Sequence, residues 1–187
     1  MDKNEANRPL IDKINELEKE NNKTFSNTQK ILLTTDGSIT AILDVLYGKI
    51  TLTTIDQHFE NADEAHAKLV NVPIGAKINF REVIMHKDGK PLIYAISHIP
   101  LSRCNDDICS DLLSADVPIG RILKNHHIES RRMINNIYIE QPNEKLKEIF
   151  DTDEEMLARD YVIVNCDEIL MWIKEIFPIS QFKEEIL

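Results

Sequence analysis

Two charged side chains interrupt rows that are otherwise apolar, and these are the places where chemistry would sit. Glu175 lies in the run Ile169 to Pro178, whose β-branched, aromatic and long apolar residues read as a strand stopped by proline. Alternation puts Ile169, Met171, Ile173, Glu175 and Phe177 on one face. A carboxylate in such a row must be paired, hydrogen-bonded or kept protonated, because an isolated buried charge costs too much. Spacing alone leaves a structural and a functional role equally open. Arg81 shares a face with Asn79, Val83 and Met85, and a guanidinium in that row needs an anionic partner from the protein or a ligand. Two helix starts could add neutral donors. Asp36 or Ser38 can cap a helix running from Ile39 to Leu46, leaving backbone N–H groups of Ile39 and Thr40 for an anion. Pro118 suits the first helical position of a second helix reaching Leu123. The N–H groups of Ile119 and Gly120 would then be free, and glycine lets a ligand approach the main chain. Without other evidence, a plain capped helix is the favoured reading of the first of these starts.

Positioning these residues requires the following elements. Leu10, Ile14 and Leu17 fall on one side of a short amphipathic helix over residues 9–20, with Ser26, Asn27 and Thr28 expected as loop. No second helix is expected before the domain, so a complete helix-turn-helix reader does not fit there. Ile50 to Phe59 alternates as a strand, and Ala62 to Val70 follows as a polar helical stretch. Lys77 to His86 and Pro91 to Ile99 form a hairpin around Asp88-Gly89, the dipeptide a type I′ turn favours. Residues 105–115 look helical, Ser130 to Gln141 is a strand, and Asn143 to Phe150 is a short helix. A second hairpin joins Ala158–Asn165 to Glu168–Phe177 around Cys166-Asp167. The count predicts an α+β fold built on a single antiparallel sheet of about six strands with inserted helices. Residues 1–27 form an N-terminal helix and linker, and residues 28–187 the domain.

Composition narrows the function. The 187 residues suffice for a sizeable core, and 42% hydrophobic with 29% charged is ordinary for a soluble globular chain. A formal net charge of −10 argues against non-specific nucleic-acid binding and means that any anionic ligand needs a local cationic site. No apolar run reaches the ~20 residues of a membrane helix, and the start lacks a signal-peptide pattern, so a cytoplasmic protein with no membrane partner is expected. Cys104, Cys109 and Cys166 show no CxxC spacing, and His126-His127 has no ligand cluster beside it, so neither disulfides nor a metal site is expected. Phosphate-binding glycine loops, GxSxG and HExxH are absent. Glu129-Ser130-Arg131-Arg132 offers a basic recognition patch as one reading, but a solvated strand end with a local ion pair is favoured.

The order Asp36-Gly37-Ser38-Ile39-Thr40, Phe80-Arg81-Glu82-Val83 with Asp88-Gly89-Lys90-Pro91, Pro118-Ile119-Gly120-Arg121-Ile122-Leu123 and Lys174-Glu175-Ile176-Phe177-Pro178 resembles the chorismate lyase (chorismate pyruvate-lyase) family. The likeness is greatest to its long-uncharacterised archaeal and bacterial branch, over roughly residues 30–180. The resemblance implies a chorismate lyase-like sheet, an enclosed pocket and a cofactor-free conversion of chorismate to 4-hydroxybenzoate and pyruvate. It implies that Arg81 holds the ring carboxylate and that main-chain N–H groups at Ile39 and at Ile119, beside Gly120, meet ligand oxygens. Glu175 would contact the hydroxyl side of the ring, facing Arg81 across it. Arg81 and Glu175 are thus the expected catalytic pair, with a small-molecule partner and no metal. Isoleucine at both backbone-contact positions departs from the better-known members, which bears on pocket shape more than on binding. The same fold serves as the effector-binding domain of transcription regulators, so a non-catalytic sensor of an aromatic carboxylate is the alternative.

Overall fold

Six antiparallel strands form one sheet in the order β1-β2-β3-β6-β5-β4: β1 (Thr51–Asn61), β2 (Lys77–Lys87), β3 (Lys90–Pro100), β4 (Arg131–Glu140), β5 (Met156–Asn165) and β6 (Glu168–Pro178). It is the α+β architecture expected from the hairpin pattern. The computed structural model describes residues 9–104, 106–114 and 116–183; both ends of the helix expected over 105–115, and the chain before residue 9, lie outside them. The sheet consists of two three-stranded meanders, β1-β2-β3 and β4-β5-β6, joined where β3 pairs with β6. Each meander contains a two-residue hairpin turn. Asp88 and Gly89 have φ of 50° and 81°, and Cys166 and Asp167 have 47° and 65°. Positive φ at both central residues is what a type I′ turn requires, and its twist matches that of the strands.

Seven helices pack on the sheet among the described residues: α1 (Leu10–Glu20), α2 (Asn27–Thr34), α3 (Ile39–Tyr47), α4 (Glu64–Val70), α5 (Asp106–Ser114), α6 (Ile119–Asn125) and α7 (Glu144–Phe150). None is long and apolar enough to cross a membrane. Two core clusters occupy one face of the sheet. Leu32, Leu33, Ile39 and Leu43 cover Val83, Met85, Ile93 and Phe177 in the first. Ile108, Leu112, Ile122 and Leu123 cover Tyr161, Ile163 and Ile173 in the second. The opposite face is buried by α4 over Ile78 and by α7 over Tyr94, Ala158 and Ile176.

The segment expected as loop at 26–28 instead begins α2, which corrects the view that no second helix precedes the domain. The signal was a capping box: the Ser26 hydroxyl accepts from the Gln29 N–H, and the Gln29 side chain accepts from the Ser26 N–H. Gln29 is fully buried, and its Nε2 also donates to the carbonyls of Ile179 and Gln181. One side chain therefore starts α2 and ties it to the end of the chain. Replacing Gln29 by alanine removes the reciprocal cap and leaves two carbonyls without this donor. A loss of about 2–4 kcal/mol is expected in urea denaturation; a change within ±0.5 kcal/mol would show that these bonds do not hold the terminus.

Candidate active site

The seam between the two core clusters contains a cavity with about 500 Å³ of empty space, part of it open to solvent. The sheet supplies its floor through Arg81, Val83, Met85, Ala95, Ile173 and Glu175, and the starts of α3 and α6 supply its roof. Every residue singled out in the sequence, Ile39, Arg81, Ile119, Gly120 and Glu175, lies on this wall. Arg132 and Tyr161 lie there as well.

Glu175 is held from the neighbouring strand. It stands directly across from Arg159 in the β5–β6 ladder, and Arg159 Nε donates to Glu175 Oε2 at 2.7 Å. Tyr161 donates its hydroxyl to Glu175 Oε1 at 3.1 Å. Arg159 is fully buried, its guanidinium lies over the Tyr161 ring, and Nη1 donates to the Thr35 carbonyl at 2.7 Å. Thr35 leads into the Ser38 cap, so a single arginine fixes both the carboxylate and the approach to α3. Burial pushes the Tyr161 hydroxyl above its ordinary value, and the Glu175 charge adds to the effect. Tyr161 is thus a fixed donor to the carboxylate.

Arg81 is only 1% exposed. It donates Nη1 to the Val117 carbonyl at 3.2 Å and Nη2 to Thr54 Oγ1 at 3.1 Å. Burial pulls it below its ordinary value and Asp116 opposes that, yet a guanidinium remains charged. Asp116 also accepts the Thr54 N–H at 2.7 Å, so the same group of residues secures the chain entering α6. Arg132 projects from β4, donates Nη1 to the Asp36 carbonyl at 3.4 Å, and keeps its Nε buried without a hydrogen-bond partner among the described residues. Its neighbour Arg131 makes the exposed ion pair expected of both, with Asp167 at 3.2 Å. Arg159 balances Glu175, so Arg81, with Asp116 beside it, and Arg132 are the remaining cations of the wall.

The two roofing helices meet at their starts. Ser38 caps α3 by accepting the Ala41 N–H, and first-turn N–H groups such as those of Ile39 and Thr40 have no acceptor within their own helix. A Cβ on Gly120 would stand 2.7 Å from the Ser38 hydroxyl, so glycine at the second position of α6 lets the two helix starts approach this closely. Farther along, Arg121 Nη2 reaches both oxygens of Asp44 at 3.0 and 2.7 Å, linking α6 to α3.

The fold resembles that of the effector domains of solved transcription regulators. The effector domain of PhnF from Mycobacterium smegmatis superposes with a TM-score of 0.65 at 15% identity, over 78% of this chain and 90% of that one. A GntR-family transcriptional regulator from Bacillus cereus gives 0.59 at 13% identity, over 74% and 97%. At such identities the likeness is one of fold alone. Sequence defines the family: residues 33–184 match the family described as "Chorismate pyruvate-lyase Rv2949c-like", and the chain belongs to it. It is 38% identical over 166 residues to the Methanocaldococcus jannaschii protein named "Putative lyase MJ0807", spanning 84% of this chain and 83% of that protein.

Arg159, Tyr161 and Arg132 are the wall or support residues that sequence reasoning missed. Arg159, like Arg81, is a guanidinium in a largely apolar strand, but its neighbour Asp160 and the burial of both faces of β5 blur the alternation that exposed Arg81. Exchanging it for methionine leaves Glu175 buried without its cation, and a loss of about 3–5 kcal/mol is expected. Adding Glu175→Leu should recover much of that loss in a double-mutant cycle followed by chemical denaturation. Additive losses would show that the pair is not coupled.

The α3–α6 link responds to acid. Burial raises the Asp44 carboxyl, but the Ile50 N–H and Arg121 together outweigh it and hold the group below the usual aspartate value. The contact therefore contributes fully above the unfolded aspartate value and is lost as pH falls through the lowered one. Amide exchange in α3 and α6 should accelerate across that acidic window in the parent protein, with no such step in Asp44→Asn. The same step in both would exclude Asp44 as its source.

Proposed function

We propose that the chain is a cofactor-free lyase converting chorismate to 4-hydroxybenzoate and pyruvate, with the reaction in the cavity between the two meanders. The observation that carries this reading is the combination of Arg81, Arg132 and Glu175 on one largely apolar wall, in a member of the chorismate pyruvate-lyase family. Chorismate is a cyclohexadiene bearing two carboxylates, a hydroxyl and an enolpyruvyl ether. In the reaction a ring C–H proton leaves and its electron pair completes the aromatic ring. The ether C–O bond breaks, and enolpyruvate takes up a proton to become pyruvate. Aromatisation supplies much of the driving force, so the protein has chiefly to bind the dianion in a reactive conformation and exclude water.

Arg81 is suited to grip the ring carboxylate as a fork, because Val117 and Thr54 fix its plane. Arg132, at the roofed side, would take the second carboxylate, with the first-turn N–H groups at Ile39, Ile119 and Gly120 as further donors. Glu175 would accept the ring 4-hydroxyl. Because both its oxygens already receive hydrogen bonds from Arg159 and Tyr161, orienting that hydroxyl fits the geometry better than delivering a proton to the departing ether oxygen.

Purified protein incubated with chorismate should release 4-hydroxybenzoate and pyruvate in equal amounts above the uncatalysed rate. Arg81→Ala should lower kcat/KM by roughly 100-fold or more, corresponding to the loss of about 3 kcal/mol of charge-assisted binding. Glu175→Gln should retain most single-turnover activity if the carboxylate orients the ring. A collapse of that rate with intact binding would assign it proton transfer instead. Folded protein that binds 4-hydroxybenzoate without turning over chorismate would overturn the enzymatic reading in favour of a binding domain.

A further inference from the structure

A second constellation lies on the opposite face of the sheet from the cavity. Ser97 lines the cavity, so His98, the next residue on β3, points to the other side. There it meets Glu60 of β1 and His66 of α4. One donor atom from each of these three residues lies within 4.8 Å of the others. Glu60 Oε1 is 3.6 Å from His98 Nδ1 and 3.8 Å from His66 Nδ1. All three atoms are buried, and none has a hydrogen-bond partner among the described residues. His98 is only 6% exposed, so its unpartnered nitrogen is well removed from water.

A carboxylate oxygen and two imidazole nitrogens, buried within 4.8 Å of one another and without hydrogen-bond partners among the described residues, are costly unless a cation joins them. We propose that Glu60, His66 and His98 bind a divalent transition-metal ion, zinc being the ion whose preferences the set fits. Two imidazole nitrogens and a carboxylate oxygen are a zinc donor set. Around a tetrahedral zinc with bonds of about 2.0–2.2 Å, neighbouring donors stand roughly 3.3–3.5 Å apart. The two Glu60 contacts, at 3.8 and 3.6 Å, need up to about half an ångström of closure to reach that spacing, and the two imidazole nitrogens lie within 4.8 Å of each other.

The surroundings support this assignment. Asp63 Oδ1 caps α4 by accepting the His66 N–H and lies 3.3 Å from His66 Nδ1, so the backbone at the ligand is already fixed and a further oxygen is near. The second oxygen of Glu60 is 3.9 Å from His58 Nε2, an outer contact that would orient the carboxylate. Trp172 and Phe80 flank the His98 ring and close the inner side, while Glu60 and His66 are partly exposed and give an ion a route in. Standing on the far side of the sheet, such an ion would pin α4 to β1 and β3 and take no part in chemistry at the cavity. The sequence did not reveal it because the ligands come from three separate elements with no motif spacing.

The test uses the full chain, stripped by chelator and dialysed into metal-free buffer, titrated with zinc alone and, for its visible spectrum, with cobalt(II). One equivalent should bind, the cobalt form should show the d–d bands of a low-coordinate site, and zinc should raise the thermal midpoint by several degrees. Glu60→Gln and His66→Gln, both at partly exposed positions, should weaken binding by roughly 10–100-fold or more. His126→Gln, which removes a histidine paired with Asp111 in another part of the fold, should leave it unchanged. Folded parent protein that takes up no zinc would overturn the proposal. Retention of parent affinity in both the Glu60 and His66 variants would also overturn it, by showing that the ion sits elsewhere.

Discussion

The ion pair between Arg159 and Glu175 is the constraint on which the rest of this structure depends. Two opposite charges stand across a ladder position on adjoining strands, both of them buried. A buried pair of this kind adds little to stability against an apolar replacement, but either member alone is very costly. What it provides is placement. Glu175 cannot turn away from the cavity without abandoning its cation, and Arg159 cannot move without releasing Thr35 and the loop that starts α3. Floor and roof are therefore registered against each other by one side chain.

Charge shapes the cavity. The protein carries a formal charge of −10, so any anion would approach against that field. Arg159 balances Glu175 internally, and Arg81 and Arg132 add two cations to the same wall. Asp116 moderates Arg81, and its position beside Thr54 couples the arginine to the segment before α6. Binding groups and closing elements thus share the same hydrogen bonds.

Much of this was legible in the sequence, for identifiable reasons. Alternation exposed Arg81 and Glu175 because each was a single charge in an apolar row, and Asp88-Gly89 marked the hairpin that sets the faces of β2 and β3. Pro118 and Ser38 marked the helix starts. Arg159 escaped because β5 is buried on both faces, so its apolar run shows little alternation against which one charge stands out. Arg132 escaped because it sits beside an arginine that is solvated, and sequence cannot tell which of two neighbours a strand turns inward. The helix α2 was missed although Ser26 and Gln29 spelled its cap, because its polar first turn outweighed the buried Leu32-Leu33 that follows.

The two hairpin turns lie far from the cavity and touch nothing in it, yet they determine its chemistry. Each has two central residues, and that length decides which neighbours along the strands are opposite one another. Adding or deleting one residue at Asp88-Gly89 or Cys166-Asp167 would shift a strand by one step and reverse its faces. Arg81 or Glu175 would then turn towards α4 and α7, and an apolar side chain would take its place in the pocket. Loop length is usually the freest variable in a fold. Here it fixes which side chains line the cavity, and a change there should remodel the wall as surely as a substitution in it.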